Sequence, residues 1–580
     1  MARPGWIDTV AAGLAPGVLL GTHLAGLIFF LNPHLPFTPG SVLRGCLAYG
    51  GMLGLASLAL HLPFTWRRHW AGRRARRLLP WALTAALGAA VWLDASHASL
   101  YAFYLPSGIN DRLIRTAAWL TLAALIFFYT ALLHSLHRRR YGWRSRYGLT
   151  LLAVLSVYAM IERREAFRPV AAPIHRPTVV ETGTRPRLLV VGIESATMDA
   201  ILPLAGQGRL PFFATMLQQG AYGRLESLYP TWREGLWISL ATGKYPYKHG
   251  VAGGRVYDAP WLETPGPGKE LRLLPVGIRF RRWGLFGAEA HTPTSLPREA
   301  LGLWEILPRL GMAAGTVGWP ASWPASRETE FSLPESFFAG VQGPESSWPE
   351  DLAASARIFR PRSEEIDPAL RAHFGRPPGP PKPVLDALAG DAWRESLVFS
   401  LLEQHPEAGA TLLVLPGLRE VSRGTFGGFQ AVQFEGSQSS AAREAAERLT
   451  AYYGWIDSFL GELWRREDGP RILAVVSAYG AEGRRDRLSL SGDAAELEGR
   501  FGLAPDGALL LYGEGIQPGA LITGARLVDV APTLLYALGF PSARDLDGQV
   551  LTAAFDKGFL ARHPLTILPS FEGLAKAPGS

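Results

Sequence analysis

The sequence predicts an all-α transmembrane helical domain followed by an α/β domain, a mostly parallel sheet sandwiched by helices. Three observations predict it. Five apolar stretches fill the first 161 residues. From residue 187 onward, short continuous apolar runs alternate with amphipathic helical patterns. Charge divides at the same place. Up to Glu165 there are 17 arginines, no lysine and five acids, a net +12 that leaves −4 for the remainder.

The apolar stretches cover 10–31, 42–62, 79–105, 113–136 and 147–161. The first four reach the ~20 residues that a ~30 Å hydrocarbon core requires; the fifth is shorter. No small-residue cleavage site follows the first, and further spans do, so it does not read as a signal peptide. Arginines crowd two loops: Arg67, Arg68, Arg73, Arg74, Arg76 and Arg77 after the second stretch, and Arg138, Arg139, Arg140, Arg144 and Arg146 after the fourth. The loops at 32–41 and 106–111 hold neither lysine nor arginine. Positive-inside asymmetry puts the arginine loops and the N-terminus in the cytoplasm. Five crossings then leave everything after residue 162 outside, in the periplasm of a bacterial inner membrane. Asp94 and His97 share one face of the third stretch, three residues apart. They read either as a functional polar pair or as interface residues that bind water or the soluble domain. His23 reads as a helix-packing residue.

Residues 163–186 carry prolines, threonines and charges without an apolar period and read as a linker. The run RLLVVGI at 187–193 is a buried strand, and 412–415 and 472–476 are similar. Helical patterns at 210–219, 441–466 and 527–538 separate them. Such alternation builds a parallel sheet covered on both faces, with ligands bound beyond the strand carboxyl ends. The α/β domain is expected over 187–555. Loop insertions are expected near 252–302 and 326–382, over the pocket mouth or as a partner surface, with Trp261, Trp283 and Trp348, and Trp393 just beyond, read either as anchors or as ordinary packing. A loosely ordered tail follows at 556–580.

Composition closes off other classes. Hydrophobic residues make up 48% of the 580, which excludes low-complexity disorder. The single cysteine, Cys46, excludes a disulfide scaffold. The arginines lie between apolar runs, so the excess charge reads as membrane topology and not as a nucleic-acid surface.

Several segments carry a resemblance. They are VVGIESATMDAILPLAGQGRLPFFATMLQQGAYGRLESLYPTW (190–232), ISLATGKYPYKHGV (238–251), LWEILPRLGMAAGTVGWPASWPA (303–325), YYGWIDSFLGELW (452–464), PDGALLLYGEGI (505–516) and ARLVDVAPTLLYALGFPSARDLDGQVL (525–551). In this order they resemble the type I phosphodiesterase/nucleotide pyrophosphatase group of the alkaline phosphatase superfamily. The resemblance implies an alkaline-phosphatase-like fold. It also implies two divalent metals, usually zinc, held by Asp and His around a Thr or Ser nucleophile. Here the family's first-strand Asp falls on Glu194 and its nucleophile on Arg233. Its D-x-x-x-H pair falls on Arg419 and Arg423, and the Asp and His of its S-D-H-G motif on Ala478 and Tyr479. Its last metal His falls near Leu503. His249, in the KHG motif, reads as scaffold.

An arginine stays protonated and has no lone pair for a metal, and one glutamate cannot hold two metals. The expected protein is therefore a membrane-anchored pseudoenzyme without a metal cofactor, serving a cell-envelope complex as a scaffold or binding subunit. Its expected partners are the membrane and other envelope proteins. In one reading the arginines neutralise Glu194, Glu420 and Glu234. In the other, Arg233, Arg419 and Arg423 bind a phosphate, sulfate or sugar carboxylate on a glycan or lipid. Two rival functions stand beside it. One is an active phosphodiesterase or phosphotransferase on lipid or glycan head groups, as the architectural similarity to phosphoethanolamine and glycerol-phosphate transferases suggests. The other is a transport or assembly subunit that uses Asp94 and His97.

Overall fold

The computed structural model describes residues 5–35, 37–65, 71–137, 142–161, 185–253, 255–258, 270–275, 289–291, 298–361, 382–466, 468–481 and 505–575. The chain forms two compact units. One comprises Met1–Pro169 with Arg255–Thr294, the other Val170–Gly254 with Ser295–Ser580. The chain therefore leaves the second unit, contributes a segment to the first, and returns.

The first unit contains five helices: α1 (Gly5–Leu31), α2 (Pro39–Thr65), α3 (Ala71–Leu100), α4 (Ser107–Leu136) and α5 (Trp143–Ile161). Four segments are long and apolar enough to cross a membrane: Thr9–Leu31, Pro39–Pro63, Leu78–Leu100 and Ser107–Leu136. The 19-residue α5 is not among them. Two expected boundaries move. The third stretch leaves the helix after Leu100, and Tyr101–Tyr104 form a turn instead. The fourth starts six residues early at Ser107, directly after Pro106 at its N-cap.

Glycine governs the α1–α2 contact. A Cβ on Gly17 would lie 2.0 Å from the Leu53 carbonyl oxygen, and one on Gly21 would lie 2.4 Å from that of Tyr49. With Gly13 these residues form a small-residue stripe at four-residue spacing, which lets two helix backbones touch where hydrophobic drive is absent. Behind α1, Leu19 packs with Leu87 and Ala90 of α3 and with Leu120, Ala123 and Phe127 of α4. Leu149, Leu152, Ala153 and Val157 of α5 cover that cluster. The α5 helix runs antiparallel to α4. His134 of α4 lies 3.3 Å from the Ser145 hydroxyl near the start of α5. Arg112 donates to the Ala159 carbonyl near its end at 3.3 Å.

The segment Arg255–Thr294 corrects an expectation. Loops of the second unit were expected at 252–302, yet the described part of this segment builds into the helical unit. Its strands β3 (Val256–Asp258) and β4 (Glu289–His291) pair antiparallel. Leu271 and Leu274 bury among Leu24, Ile28, Phe29 and Tyr49. Asn32, fully buried, holds the segment by its side chain. Its Oδ1 accepts from the amides of Arg272 (2.7 Å) and Leu273 (3.0 Å), and its Nδ2 donates to the Leu273 carbonyl (2.8 Å). Three leucines in LRLLP (271–275) seek burial, and the ends of α1 and α2 supply it. Asn32→Leu should leave two backbone amides and a carbonyl without partners, each costing ~1–3 kcal/mol. Proteolysis within 255–294 that speeds by at least tenfold in the variant would register the loss.

The second unit is an eight-stranded sheet in the order β10-β2-β9-β8-β1-β7-β5-β6. The strands are β1 (Arg187–Ile193), β2 (Ala221–Glu226), β5 (Ala314–Val317), β6 (Phe331–Leu333), β7 (Ala410–Leu415), β8 (Arg471–Val476), β9 (Gly507–Gly513) and β10 (Ala520–Arg526). Pairing is parallel except where β9 meets β2 and β8. The period-two alternation of β1 is visible in its burial. Leu188 and Val190 join the core on one face, while Leu189, Val191 and Ile193 join the other.

Three further expectations are corrected. The insertion at 326–382 is not all loop, since Phe331 and Leu333 are buried in edge strand β6 and a short helix, Glu335–Phe338, follows. The stretch 362–381 lies outside the described residues. Trp393 is not a surface anchor but a core residue, its indole donating to the Ala356 carbonyl at 2.8 Å. Trp348 is half-buried, and Trp261 and Trp283 lie outside the described residues. The tail is built into the fold. Asp556 caps the helix Lys557–Arg562, Ile567–Leu568 pairs with Ser542–Ala543, and Phe571 and Leu574 are buried. Glu572 meets the nearly buried Lys244 at 2.7 Å. Burial pushes the Glu572 carboxyl up, but that ammonium and the Ser570 hydroxyl hold it down at about 2.

Candidate functional site

Parallel strands β7, β1 and β8 end side by side, and the residues that follow them converge. Glu194 follows β1 and is completely buried. Ser195 next to it takes a left-handed φ of 65°, which turns the chain towards α6 (Met198–Gly206) and α7 (Pro211–Gln219). Ser477, Ala478 and Tyr479 follow β8, all buried. Arg419 and Arg423 occupy the first two turns of the helix Gly417–Gln433, which leaves β7 almost directly.

Arg233 comes from the side. It opens α8 (Arg233–Thr242), whose remaining residues from Gly235 on are all buried and which Gly243 ends in the left-handed conformation. Trp237 sets how closely α8 approaches β1. A Cβ on Gly192 would lie 2.6 Å from the Trp237 ring, so glycine is required there. This contact carries Arg233 to Glu194.

The guanidinium of Arg233 is fully engaged. Its Nε donates to Glu194 Oε1 at 2.5 Å, and Nη2 pairs with the same oxygen. Nη1 and Nη2 form a fork on Glu335, at 2.8 and 2.5 Å. The other Glu194 oxygen accepts from the Tyr479 hydroxyl at 3.2 Å and faces Arg419 at 3.6 Å. Burial pulls the Arg233 guanidinium down, but Glu194 and Glu335 together hold it well above its ordinary value. Burial pushes Glu335 up, but Arg233, with Arg394 and Arg419 behind it, keeps it below the usual carboxylate range. Burial and the Glu194 charge raise the Tyr479 phenol, which stays protonated as a donor. Arg419 is about one-third exposed, and Arg423 more so, pairing with Glu420 at 3.1 Å.

Sequence reasoning missed the second layer. Glu335 lies in the segment read as loop. Arg394 and Asp391 lie in the helix Lys382–Gln404, both buried. Arg394 donates to the Gly390 carbonyl at 2.9 Å and covers the Phe338 ring at 3.9 Å, while its Nε has no hydrogen-bond partner. Asp391 accepts from the Gly417 amide (2.9 Å) and the Tyr452 hydroxyl (2.5 Å), and so ties that helix to the one bearing Arg419. A carboxylate and an arginine three residues apart on the apolar face of a helical pattern was the available signal. Burial pushes the Asp391 carboxyl up to about 6, against Arg394, Tyr452 and Gly417. A carboxyl raised on folding binds its proton more tightly in the native state. Its contribution to stability is therefore present at low pH and falls as pH rises from about 4 to about 6. Denaturant titrations of wild type and Asp391→Asn across that window should show this slope in the wild type and its loss in the variant.

The sequence-derived positions are distributed as follows. Glu194, Arg233, Arg419 and Tyr479 meet. Arg423 stands one turn away on Glu420, and Ala478 is buried beside Tyr479 without a polar group to offer. Leu503 lies outside the described residues. His249 is buried. Its Nδ1 accepts from the Val251 amide at 3.2 Å, so Nε2 carries the proton towards the Ser239 hydroxyl at 2.9 Å.

The type I phosphodiesterase / nucleotide pyrophosphatase model matches residues 188–483. The chain belongs to that family. Its domain has the alkaline-phosphatase-like fold, and its apolar helices make it a membrane-associated member. No curated protein matches the chain. Among solved structures, the phosphonate monoester hydrolase of Silicibacter pomeroyi is 14% identical, with 64% of this chain and 78% of that one covered and a TM-score of 0.34. Murine ectonucleotide pyrophosphatase / phosphodiesterase 5, in an inactive form in complex with AMP, is 12% identical over 61% of this chain and 95% of its own, with a TM-score of 0.33. A mutant of the alkaline phosphatase PafA is 13% identical over 65% and 100%, with a TM-score of 0.38.

The two-metal centre that the phosphodiesterase resemblance implies does not fit the side chains at the strand ends. Both oxygens of the one retained carboxylate, Glu194, already face cations or a phenol donor. The neighbouring family positions present guanidinium groups, which repel a divalent ion. Among the described residues, one group of three metal-ligating side chains converges, Glu330, His405 and Glu407. It precedes β6 and β7, at the opposite ends of the strands from Glu194, and it is partly exposed.

Proposed function

We propose that this protein is a membrane-anchored phosphodiesterase-family pseudoenzyme whose outer domain binds rather than cleaves. The observation that carries this reading is the double lock on Arg233. At the position of the family nucleophile stands a guanidinium fixed between Glu194 and Glu335 in place of a hydroxyl, and among the described residues no group of three metal-ligating side chains includes Glu194. Arg233 thus plays the structural part, neutralising two carboxylates. Arg419 is different. It is held only loosely at 3.6 Å from Glu194, and its exposed face suits an anion such as a phosphate- or sulfate-bearing head group. In this reading the protein is a scaffold or binding subunit of an envelope complex.

The same reading puts the phosphodiesterase-like domain on the periplasmic side of a bacterial inner membrane, after five crossings. Two observations support α5 as the fifth. It spans α4 antiparallel between the contacts at Ser145 and Ala159. In addition, the segment 270–275, which both precedes and follows second-unit sequence, rests against Asn32, His34 and Tyr101 at the arginine-free ends of α1 and α3. Positive-inside asymmetry makes the arginine-free side the outer one, and only an odd number of crossings brings the linker there.

The full-length protein in detergent tests the reading. Supplied with zinc or manganese, it should bind no stoichiometric metal and turn over no chromogenic phosphodiester. Inorganic phosphate or sulfate should bind to wild type and at least tenfold more weakly to Arg419→Ala. Stoichiometric metal with turnover overturns the pseudoenzyme; equal binding by Arg419→Ala removes the anion site.

A further inference from the structure

The first unit buries three titratable side chains that the proposed binding role does not use. His23 of α1 and Asp94 and His97 of α3 are all at most 2% exposed. His23, expected to be a packing residue, meets Asp94. Its Nε2 lies 3.0 Å from Asp94 Oδ1. The approach lacks hydrogen-bond geometry, and neither Asp94 oxygen nor either His23 nitrogen has a hydrogen-bond partner. His97 Nδ1 donates to the Leu93 carbonyl at 2.5 Å, which leaves the lone pair on Nε2. The His97 ring stands 5.5 Å from that of Tyr101, whose hydroxyl donates to the Leu274 carbonyl at 2.8 Å. Asp94 lies six residues before the end of α3 and His23 eight before the end of α1, ~9 and ~12 Å along their axes.

Apolar side chains would join α1 to α3 at less cost. An ionised group at such depth costs ~2.5–3.5 kcal/mol or more, and a carboxylate without donors is the least favourable form. Proton count decides the state. With one proton between Asp94 and His23, the site is neutral overall, as carboxylate with imidazolium or as carboxylic acid with imidazole. Removing that proton leaves a bare anion; adding another leaves a net cation. At the same end of the bundle the packed elements carry Arg44 and Tyr49 of α2, Asp111 and Arg112 of α4, and Glu270 and Arg272 of the inserted segment.

We propose that His23 and Asp94, with His97 one turn along α3, form an intramembrane proton-binding site, with one exchangeable proton passing between His23 Nε2 and Asp94 Oδ1. Tyr101 joins this site to the segment 270–275. Infrared difference spectra of the full-length protein in lipid nanodiscs, taken between about pH 5 and about pH 9, test it. The wild-type spectrum minus that of Asp94→Asn should hold a titrating carboxylic-acid carbonyl band, since other carboxyls such as Asp391, raised to about 6, cancel in that difference. In His23→Gln the band's midpoint should move by about one pH unit or more. A difference spectrum without that titrating band overturns the proposal. Should Asp94→Asn fail to fold, an unmoved midpoint in His23→Gln overturns it.

Discussion

Replacing Arg233 by methionine should destabilise the second unit by ~3–5 kcal/mol. Methionine fills much of the same volume, so packing against α8 is largely kept. What disappears is, among the described residues, the one cation within hydrogen-bond distance of Glu194, together with the fork on Glu335. Glu194 cannot escape to solvent, because it is fully buried at the end of the central strand. Arg419 at 3.6 Å and the Tyr479 hydroxyl offset part of the loss. Denaturant unfolding of the purified protein measures it. The double variant Arg233→Met, Glu194→Gln should recover more than half of the loss, since it removes the stranded charge. If the double variant is no better than the single, the cost lies in packing and the charge account is wrong. Arg233→Thr places the family's nucleophile type at this position. It should be equally destabilised and should gain no phosphodiester turnover, because neither an activating base nor a metal-ligand set accompanies it.

A leucine at Gly17 should disrupt the membrane unit more severely still. The new Cβ alone would stand 2.0 Å from the Leu53 carbonyl oxygen, and the obstacle is backbone, which cannot rotate away. The helices α1 and α2 would have to separate by several ångströms along the stripe that Gly13, Gly17 and Gly21 provide. Dispersion contacts fall off steeply over such a gap, and within a bilayer little hydrophobic drive replaces them. Thermal unfolding in detergent should drop by more than about 10 °C, with a smaller drop for Gly13→Ala, whose nearest neighbour is the movable tip of Leu58. Equal effects at the two positions would show that backbone proximity is not what the glycines provide.

Much of the second unit was legible from its residues. RLLVVGI needs burial on both faces, so it lies centrally in a parallel sheet, and Glu194 follows it at the strand end. Ordered family segments pointed to Arg233 and Arg419 as occupants of the site. The partners of Arg233 were not legible. Glu335 lies 102 residues further on, beyond a stretch whose Pro, Gly and Trp content imitates a loop. Only the burial of Phe331 and Leu333 as an edge strand brings it to the site. The tail was misread for the same reason. Phe571 and Leu574 are isolated apolar residues without a period, and their burial depends on what the rest of the fold leaves uncovered.

The sequence by itself determined the division into an apolar helical unit and an α/β unit, because hydrophobic period and length depend on neighbours along the chain. It also pointed to Glu194, Arg233 and Arg419 as strand-end residues, because ordered family segments fix their places along the chain. Tertiary structure alone decided that Arg233 is locked between two glutamates and that residues 270–275 belong to the helical unit. It also decided that His23 meets Asp94. Those outcomes depend on distances between residues tens to hundreds of positions apart, which no local pattern encodes.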